Sequence, residues 1–263
     1  MAARSPLVNV MVNAAYKAAK GLTRDFGEVE HLQVSKKGPA DFVSQADLKS
    51  EQILRRELSK ARPDYGFLME ESGGTAGKDE SNRWIVDPLD GTLNFLHGVP
   101  HFAISIGVER GGEPYAGVIY NPITDELYWA EKGQGAHLNE RRLRVSARKK
   151  LEESLIGTGA PFLGHGDHSS FLKRAEAVIG KTAGIRRFGA AALDLAYVAA
   201  GRLDGFWEET LNAWDICAGI VLVREAGGYV TEISGGTGMM ASGSVLAAND
   251  KLHRPLGDLL RSV

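Results

Sequence analysis

The chain has a single cysteine, Cys217, so it can close no intramolecular disulfide and build no cysteine-based zinc site. That fits a reducing compartment, and a cytoplasmic location is the expectation. Net charge is nearly absent: 31 Lys and Arg stand against 33 Asp and Glu, which leaves −2 at pH 7. No global basic field favours nucleic acid, so an anionic substrate must be attracted locally, by a cation or by backbone dipoles. No apolar run approaches the roughly 20 residues of a membrane span. The N-terminal segment is interrupted by Asn9, Asn13 and Lys17 where a signal peptide would stay apolar. Several catalytic signatures are also missing. Gly180-Lys181-Thr182 lacks the earlier glycine of a phosphate-binding loop, and no Gly-x-Ser-x-Gly elbow occurs. The seven histidines are scattered, and His165 and His168 read as loop residues on the surface. Repeats and low-complexity linkers are absent.

What the chain does have is 263 residues, 43 % of them hydrophobic, enough for one large domain or two small ones sharing an interface. Apolar residues at helical spacing predict a helix over 6–24. Ser44-Gln-Ala-Asp47 resembles a capping box, with Asp in the place of the usual Glu or Gln, and predicts a second helix from Ser44 towards Pro63. Apolar strands are expected at 65–69, 84–86, 102–108, 115–120 and 126–130, with a hairpin around Asn139-Glu140. Together they read as an antiparallel meander. Past residue 150 the pattern changes to strand–helix alternation: strands at 155–158, 185–188, 205–207, 229–231 and 245–248, and helices at 168–179, 190–200, 213–226 and 250–261. Alternation of that kind implies a layered α/β unit. The basic run Arg148-Lys149-Lys150 marks the expected boundary. Residues 1–150 then form an N-terminal α+β part with the antiparallel sheet and most of the acidic site, and residues 151–263 an α/β part that completes it. Cys217 falls on an apolar helix and reads as core.

The chemistry lies in acids placed where apolar strands stop or helices start: Asp47, Glu70, Asp87, Asp90 and Asp215. Such ends are where chains converge to build sites. Convergent carboxylates without His or Cys suit a hard divalent cation, Mg²⁺ or Mn²⁺, in preference to zinc. In Trp84-Ile-Val-Asp-Pro-Leu-Asp-Gly-Thr-Leu-Asn-Phe95, Pro88 fixes its own φ and turns the chain, so Asp87 and Asp90 can face one point. Leu89 offers a backbone carbonyl there. Gly91 lets the backbone approach a ligand closely, and Thr92 opens a short helix whose N–H groups can hold a phosphate. Asp-Pro and Asp-Gly are also ordinary turn dipeptides. It is the conjunction of several strand-end acids that argues for a cation site. The two residues between Asp87 and Asp90 rule out the Asp-x-Asp register of a phospho-aspartyl nucleophile.

These residues resemble the inositol monophosphatase family. The resemblance rests on Glu70-Glu71-Ser72, on the Asp87–Phe95 stretch and on Trp214-Asp-Ile-Cys-Ala-Gly219 with its continuation to Gly228. Lys36, the segment 41–47 and Arg187-Phe-Gly189-Ala-Ala191 add to it, so that it covers nearly the whole chain. It implies a layered αβαβα sandwich of the inositol monophosphatase and sugar phosphatase type, usually a homodimer, and a Mg²⁺-dependent, Li⁺-sensitive phosphomonoesterase. By position, Glu70, Asp87 and the Leu89 carbonyl match the ligands of a first metal. Asp87, Asp90 and Asp215 match those of a second, and a third, weaker ion would lean on Glu70. Thr92 and Asp47 match the pair that activates the attacking water. Asp90, Gly91 and Thr92 match the phosphate cradle. Gly189, Ala191 and Glu208 match contacts to the alcohol part of the substrate, and Lys36 a basic residue near an N-terminal loop.

The substrate implied is a small anionic phosphate ester. Leu93-Asn94-Phe95 after Asp-Gly-Thr favours a compact polyol phosphate, since nucleotide-type and histidinol-phosphate-type members more often carry Lys directly after the Thr. Glu208 fits, because a carboxylate accepts hydrogen bonds from sugar-like hydroxyls. Hydrolysis of fructose 1,6-bisphosphate stays open, with Arg186 and Arg187 available to a second phosphate. A role apart from catalysis, in contact with transcription machinery, would use Arg141, Arg142, Arg144 and the 148–150 run. A solvated hairpin and linker is the plainer reading of those charges.

Overall fold

The computed structural model describes residues 4–28, 34–38 and 41–263, with side chains for 4–28 and 44–263. Ser5 starts the first helix, α1 (Pro6–Phe26), by accepting a hydrogen bond from the Val8 N–H at 3.1 Å, while Pro6 occupies a first-turn position that needs no donor. A short antiparallel hairpin follows, β1 (Val34–Gly38) and β2 (Asp41–Ser44), and leads into α2 (Gln45–Ala61). The next stretch holds β3 (Tyr65–Met69), β4 (Gly73–Thr75), β5 (Asp79–Asp90), the short α3 (Thr92–Leu96), β6 (Ala103–Arg110) and β7 (Glu113–Asn121), then β8 (Glu126–Glu131), β9 (Gly135–Leu138) and β10 (Arg141–Arg142). These strands make an eight-stranded sheet in the order β10-β9-β8-β7-β6-β5-β3-β4. All its pairings are antiparallel except β3 with β5.

The remainder contributes β11 (Leu155–Thr158), α4 (His168–Ile179), β12 (Gly184–Arg186), α5 (Ala191–Ala199) and β13 (Gly205–Glu208). It ends with α6 (Ala213–Glu225), β14 (Tyr229–Thr231), α7 (Met239–Ser242), β15 (Val245–Ala248) and α8 (His253–Arg261). The five strands form a mixed sheet in the order β12-β11-β13-β15-β14, parallel at β12–β11–β13 and antiparallel beyond.

The layers alternate as expected for αβαβα. Helices α1 and α2 cover one face of the large sheet; α5 and α6 fill the space between the two sheets; α4 and α8 pack on the far side of the small sheet. Each interface has its own apolar cluster. Leu54, Trp84 and Phe95 lie in the first, Leu195, Phe206 and Ile220 in the second, and Val178, Trp207 and Leu256 in the third. The middle cluster joins residues from both sides of position 150, since Ile119 and Tyr128 pack with Leu193 and Val221. The whole of 102–108 is buried, as the apolar run implied.

Helix α6 comes unusually near the large sheet because β6 and β7 offer bare backbone beneath it. A Cβ on Gly107 would sit 2.5 Å from the Cys217 sulfur, and one on Gly117 would sit 2.5 Å from the Ala218 carbonyl oxygen. The buried Ser105 hydroxyl donates to the Trp214 carbonyl at 3.3 Å and pins the first turn of α6 to β6.

Several elements differ from the sequence-based expectation. The β1–β2 hairpin, β4 and α7 are too short to carry a periodic signal. Strand β5 begins at 79, well before the apolar core of 84–86. Its polar start is held on β6 by Arg83 with Glu109 at 2.8 Å and by the Arg110 Nε donating to Asn82 at 2.9 Å. The strand expected at 185–188 stops at Arg186, and 187–190 instead form the loop that feeds α5. Among the described residues no helix is long and apolar enough to cross a membrane.

Candidate metal and phosphate site

The acids singled out in the sequence sit at element ends that the topology brings to one edge. Glu70 follows the last residue of β3, and its N–H donates to the Val86 carbonyl of β5 at 3.2 Å. Asp87 and Asp90 close β5, where pairing with β6 is interrupted between them. That interruption is the Pro88-Leu89 turn. Gly91, at φ 89°, then takes a left-handed conformation that a side chain would strain, and Thr92 begins α3. Asp47 and Asp215 lie at equivalent places on different helices, each three residues after the N-cap. The Ser44 N–H and hydroxyl donate to one Asp47 oxygen at 2.8 and 2.5 Å. The Asn212 N–H donates to one Asp215 oxygen at 2.7 Å. Both acids therefore double as helix caps, in a field that favours negative charge. The Asn212-Ala-Trp-Asp215 spacing is the sequence signal of the second cap.

Backbone donors orient the other acids too. Asp87 accepts the Leu89 N–H at 2.8 Å, and Asp90 accepts the Ala192 N–H at 2.8 Å from the first turn of α5. Asp87 and Asp90 are 2 % and 8 % exposed, so their charges cannot be left to water. Burial pushes the Asp87 carboxyl well above the usual carboxylate range, and the charges of Glu70, Asp90 and Asp215 push it further, as does a hydrogen bond that protonated Asp87 donates to Glu70. Burial likewise raises Asp90, with Asp215 the next cause, while the Ala192 N–H works the other way. Buried carboxylates that raise each other's proton affinity call for protons or for a cation. The donor set here is all oxygen, which fits a hard divalent ion. Glu70, Asp87, Asp90, Asp215 and the Leu89 carbonyl are the residues that would hold it. Among the described residues no three His, Cys, Asp or Glu side chains are gathered closely enough to hold a metal ion by themselves.

Thr92 stands beside this group. Its hydroxyl lies 3.0 Å from the second Asp47 oxygen and 3.0 Å from the Leu89 carbonyl. It has one proton, so it donates to one of these acceptors at a time. Burial raises the Asp47 carboxyl above its ordinary value, and the Ser44 and Thr92 donors offset part of that.

The substrate-side residues line up less evenly. Glu208 ends β13, half-buried, with its carboxyl in the space that a Gly159 Cβ would fill. Burial and the Asp215 charge push it up to about 8, against the opposing charge of Arg187. Glu70, Glu208 and Asp215 open onto a cavity of about 640 Å³. Its outer wall is the 159–167 loop and the ion pair of Arg174 with Glu209. Gly189, at φ 85°, and Ala191 sit where the loop enters α5. Asn94, read from the sequence as a mark of substrate class, works through this loop. Its amide donates to the Phe188 carbonyl at 2.9 Å and the His101 carbonyl at 2.8 Å, and so fixes the approach to Gly189. Phe95 is wholly buried against Phe102. Lys36 lies on β1, and its side chain falls outside the described residues. Three residues that the sequence reading passed over also support the acids: Ser50, Glu51 and Ser105.

The family model described as "Inositol monophosphatase family" matches residues 3–262 of this sequence. The chain belongs to the inositol monophosphatase family. An inositol-1-monophosphatase from Mesorhizobium japonicum is 61 % identical over 254 residues, covering 97 % of this chain and 96 % of that protein. The Nus factor SuhB of Pseudomonas aeruginosa is 43 % identical over 255 residues, covering 95 % and 94 %. The crystal structure of the extragenic suppressor protein suhB from Bartonella henselae superposes with a TM-score of 0.95 at 57 % identity, covering 98 % of this chain and 99 % of that one.

Proposed function

We propose that this member of the inositol monophosphatase family is a Mg²⁺-dependent phosphomonoesterase that hydrolyses myo-inositol monophosphate to inositol and phosphate. The observation that carries the reading is the convergence of Glu70, Asp87, Asp90 and Asp215, with Asp87 and Asp90 buried, beside the Thr92–Asp47 hydroxyl–carboxylate pair. Bound there, the ion would neutralise the phosphate and make a water acidic enough to attack. The chain's own residues do the rest. Thr92 gives its proton to Asp47, which leaves its lone pairs to accept a hydrogen from the attacking water. Thr92 alone is no base, since its hydroxyl does not ionise near neutral pH; Asp47, held by Ser44, takes the proton. Gly91 and Thr92 begin α3 and supply the phosphate cradle. Glu208, Gly189 and Ala191 border the alcohol end, where Glu208 engages the hydroxyls of a polyol. In-line attack then needs positioning and charge stabilisation, without a covalent enzyme intermediate.

Two or three Mg²⁺ per site, replacement by Mn²⁺, inhibition by Li⁺, a homodimer and cytoplasmic residence complete the proposal. The family resemblance supports each. A phosphate-release panel tests it: inositol 1-phosphate, fructose 1,6-bisphosphate, 3′-phosphoadenosine 5′-phosphate and histidinol phosphate, with Mg²⁺ and with added Li⁺. Inositol 1-phosphate should be turned over fastest, and Li⁺ should slow it. Turnover without Mg²⁺, or a clear preference for another ester, sinks the assignment.

A second reading has one observation in its favour, the 43 % identity to a Nus factor. A role in contact with transcription machinery would use the exposed basic residues Arg141, Arg142, Arg144, Lys149 and Lys150. Arg148 is already paired with Asp204 at 3.2 Å, and Lys150 stands 3.4 Å from the Glu152 carboxylate. Binding retained by a catalytically dead Asp90→Asn variant in a pull-down would support that role, and its absence would remove it.

A further inference from the structure

The polar face of α2 makes two contacts, through Ser50 and Glu51, that neither its capping nor the proposed chemistry requires. Ser44, Asp47, Ser50 and Glu51 fall at spacings of three, three and one, which places them on one side of a 3.6-residue helix. All four are nearly inaccessible, at 1, 0, 1 and 6 %. Polar groups so buried need partners. Their partners are successive pieces of the acidic site. Asp47 receives the Thr92 hydroxyl at 3.0 Å. The Ser50 hydroxyl donates to the Pro88 carbonyl at 2.8 Å, between Asp87 and Leu89. Glu51 accepts the Glu71 N–H at 2.9 Å, at the peptide that follows Glu70. On the same helix the fully buried Leu54 and Leu58 lock α2 into the apolar cluster against the large sheet.

We infer that Glu51, aided by Ser50, is a positioning residue that sets the affinity of the site for its divalent cation. The inference rests on the metal-dependent reading above. Glu70 and the Asp87–Asp90 turn leave the sheet from two different strands, β3 and β5. One link between their backbones at this edge is the Glu70 N–H to the Val86 carbonyl, at 3.2 Å. Glu51 and Ser50 add a second link through a rigid helix and fix where the two sets of ligands meet. A carboxylate at 51 is an odd choice for mere packing. Desolvating it costs free energy that a leucine would not cost, and its charge adds to an already negative neighbourhood. What it supplies is an oxygen placed on one peptide N–H. Partners that orient metal ligands in this way are worth about 10–100-fold in metal affinity or activity.

The test compares wild type with Glu51→Ala, Glu51→Gln and Ser50→Ala, each stripped with chelator. Mg²⁺ binding is followed by titration calorimetry, and folding by circular dichroism and thermal melting. Glu51→Ala should weaken Mg²⁺ at least about tenfold. Glu51→Gln should restore most of the affinity, because its amide oxygen accepts the same N–H. Ser50→Ala should weaken binding severalfold. It deletes a single hydroxyl, so it serves as the measurement should Glu51→Ala fail to fold. A folded Glu51→Ala or Ser50→Ala with wild-type Mg²⁺ affinity overturns the inference. So does a Glu51→Gln as weak as Glu51→Ala, which would make charge the operative property. Should wild type itself take up no Mg²⁺, the metal-dependent reading fails first, and the positioning role falls with it.

Discussion

Thr92→Val is the sharpest test of the proposed water-activating pair, because valine keeps the β-branched shape and removes only the hydroxyl. Two contacts go with it, to Asp47 and to the Leu89 carbonyl, each at 3.0 Å. One proton served both, so the net bond lost is worth about 1 kcal/mol, and leaving a buried acceptor unpaired costs about 1–3 kcal/mol. Asp47 still keeps its two donors from Ser44. The expected loss of stability is thus about 1–3 kcal/mol, each kcal/mol lowering Tm by roughly 2–4 °C in a chain of this size. The effect on rate should be larger. Removing a positioned proton acceptor costs about 10²–10⁴-fold, which is roughly 3–5 kcal/mol in the barrier. The assay is phosphate release from inositol 1-phosphate at saturating Mg²⁺, well below the melting temperature, beside thermal melts of the same preparations. Thr92→Ser restores the hydroxyl and should recover most of kcat. A Thr92→Val enzyme with more than about a tenth of wild-type kcat would refute the role given to the pair. A Thr92→Ser enzyme as slow as Thr92→Val would refute it equally.

Other outcomes follow from the same structure. Phe95→Ala empties a fully buried position packed edge-on against Phe102 at 5.0 Å, and should cost about 3–5 kcal/mol in denaturant unfolding; a loss below about 1 kcal/mol would mean the cluster collapses around the gap. Chelation at neutral pH leaves the clustered carboxylates to repel one another, so Tm should fall and return with Mg²⁺, whose binding adds about 2.7 kcal/mol of stability at a hundredfold excess over Kd; a melt indifferent to Mg²⁺ contradicts the site. Asp194, in the first turn of α5, finds no hydrogen-bond partner for either carboxylate oxygen among the described residues. Burial raises its proton affinity most, the charges of Glu208 and Asp90 raise it further, and Arg187 opposes them. A folded value above the unfolded value of about 4 means stability that is complete below that pH and drains as pH climbs through the folded value. Asp194→Asn removes the drain, so denaturation between pH 5 and 8 should increasingly favour the variant; parallel pH profiles would exclude titration of Asp194.

The placement of the acids at element ends was legible because their sequence signal is local. Asp87-Pro-Leu-Asp-Gly-Thr92 writes a strand end, a turn and a helix start within six residues, and Glu70 follows a clear apolar strand. The long elements were legible for the same reason, since α1, α4 and β6 repeat one period for several turns or pairs. What escaped notice depends on partners distant in sequence. Ser50 and Glu51 look like any solvated helix residues until β5 and β3 are laid against them. Ser105 looks like a small residue in a buried strand until the Trp214 carbonyl arrives from 109 positions away. The polar start of β5 carries no apolar alternation, and only its ion pair and amide contacts with β6 hold it in the sheet. Asn94 marks the substrate class in the sequence, and the fold adds that its amide donates to the His101 and Phe188 carbonyls.

The glycines beneath α6 act as a spacer gauge. Gly107 and Gly117 let the helix rest against strand backbone, and that thickness sets how far the first turn of α6, with Asp215, stands above the end of the large sheet. The helix is a rigid lever, so lifting it at Cys217 or Ala218 tilts a carboxylate that touches neither glycine. A substitution survey ranked by distance to the acids would pass over both positions, although each controls the height of one wall of the site.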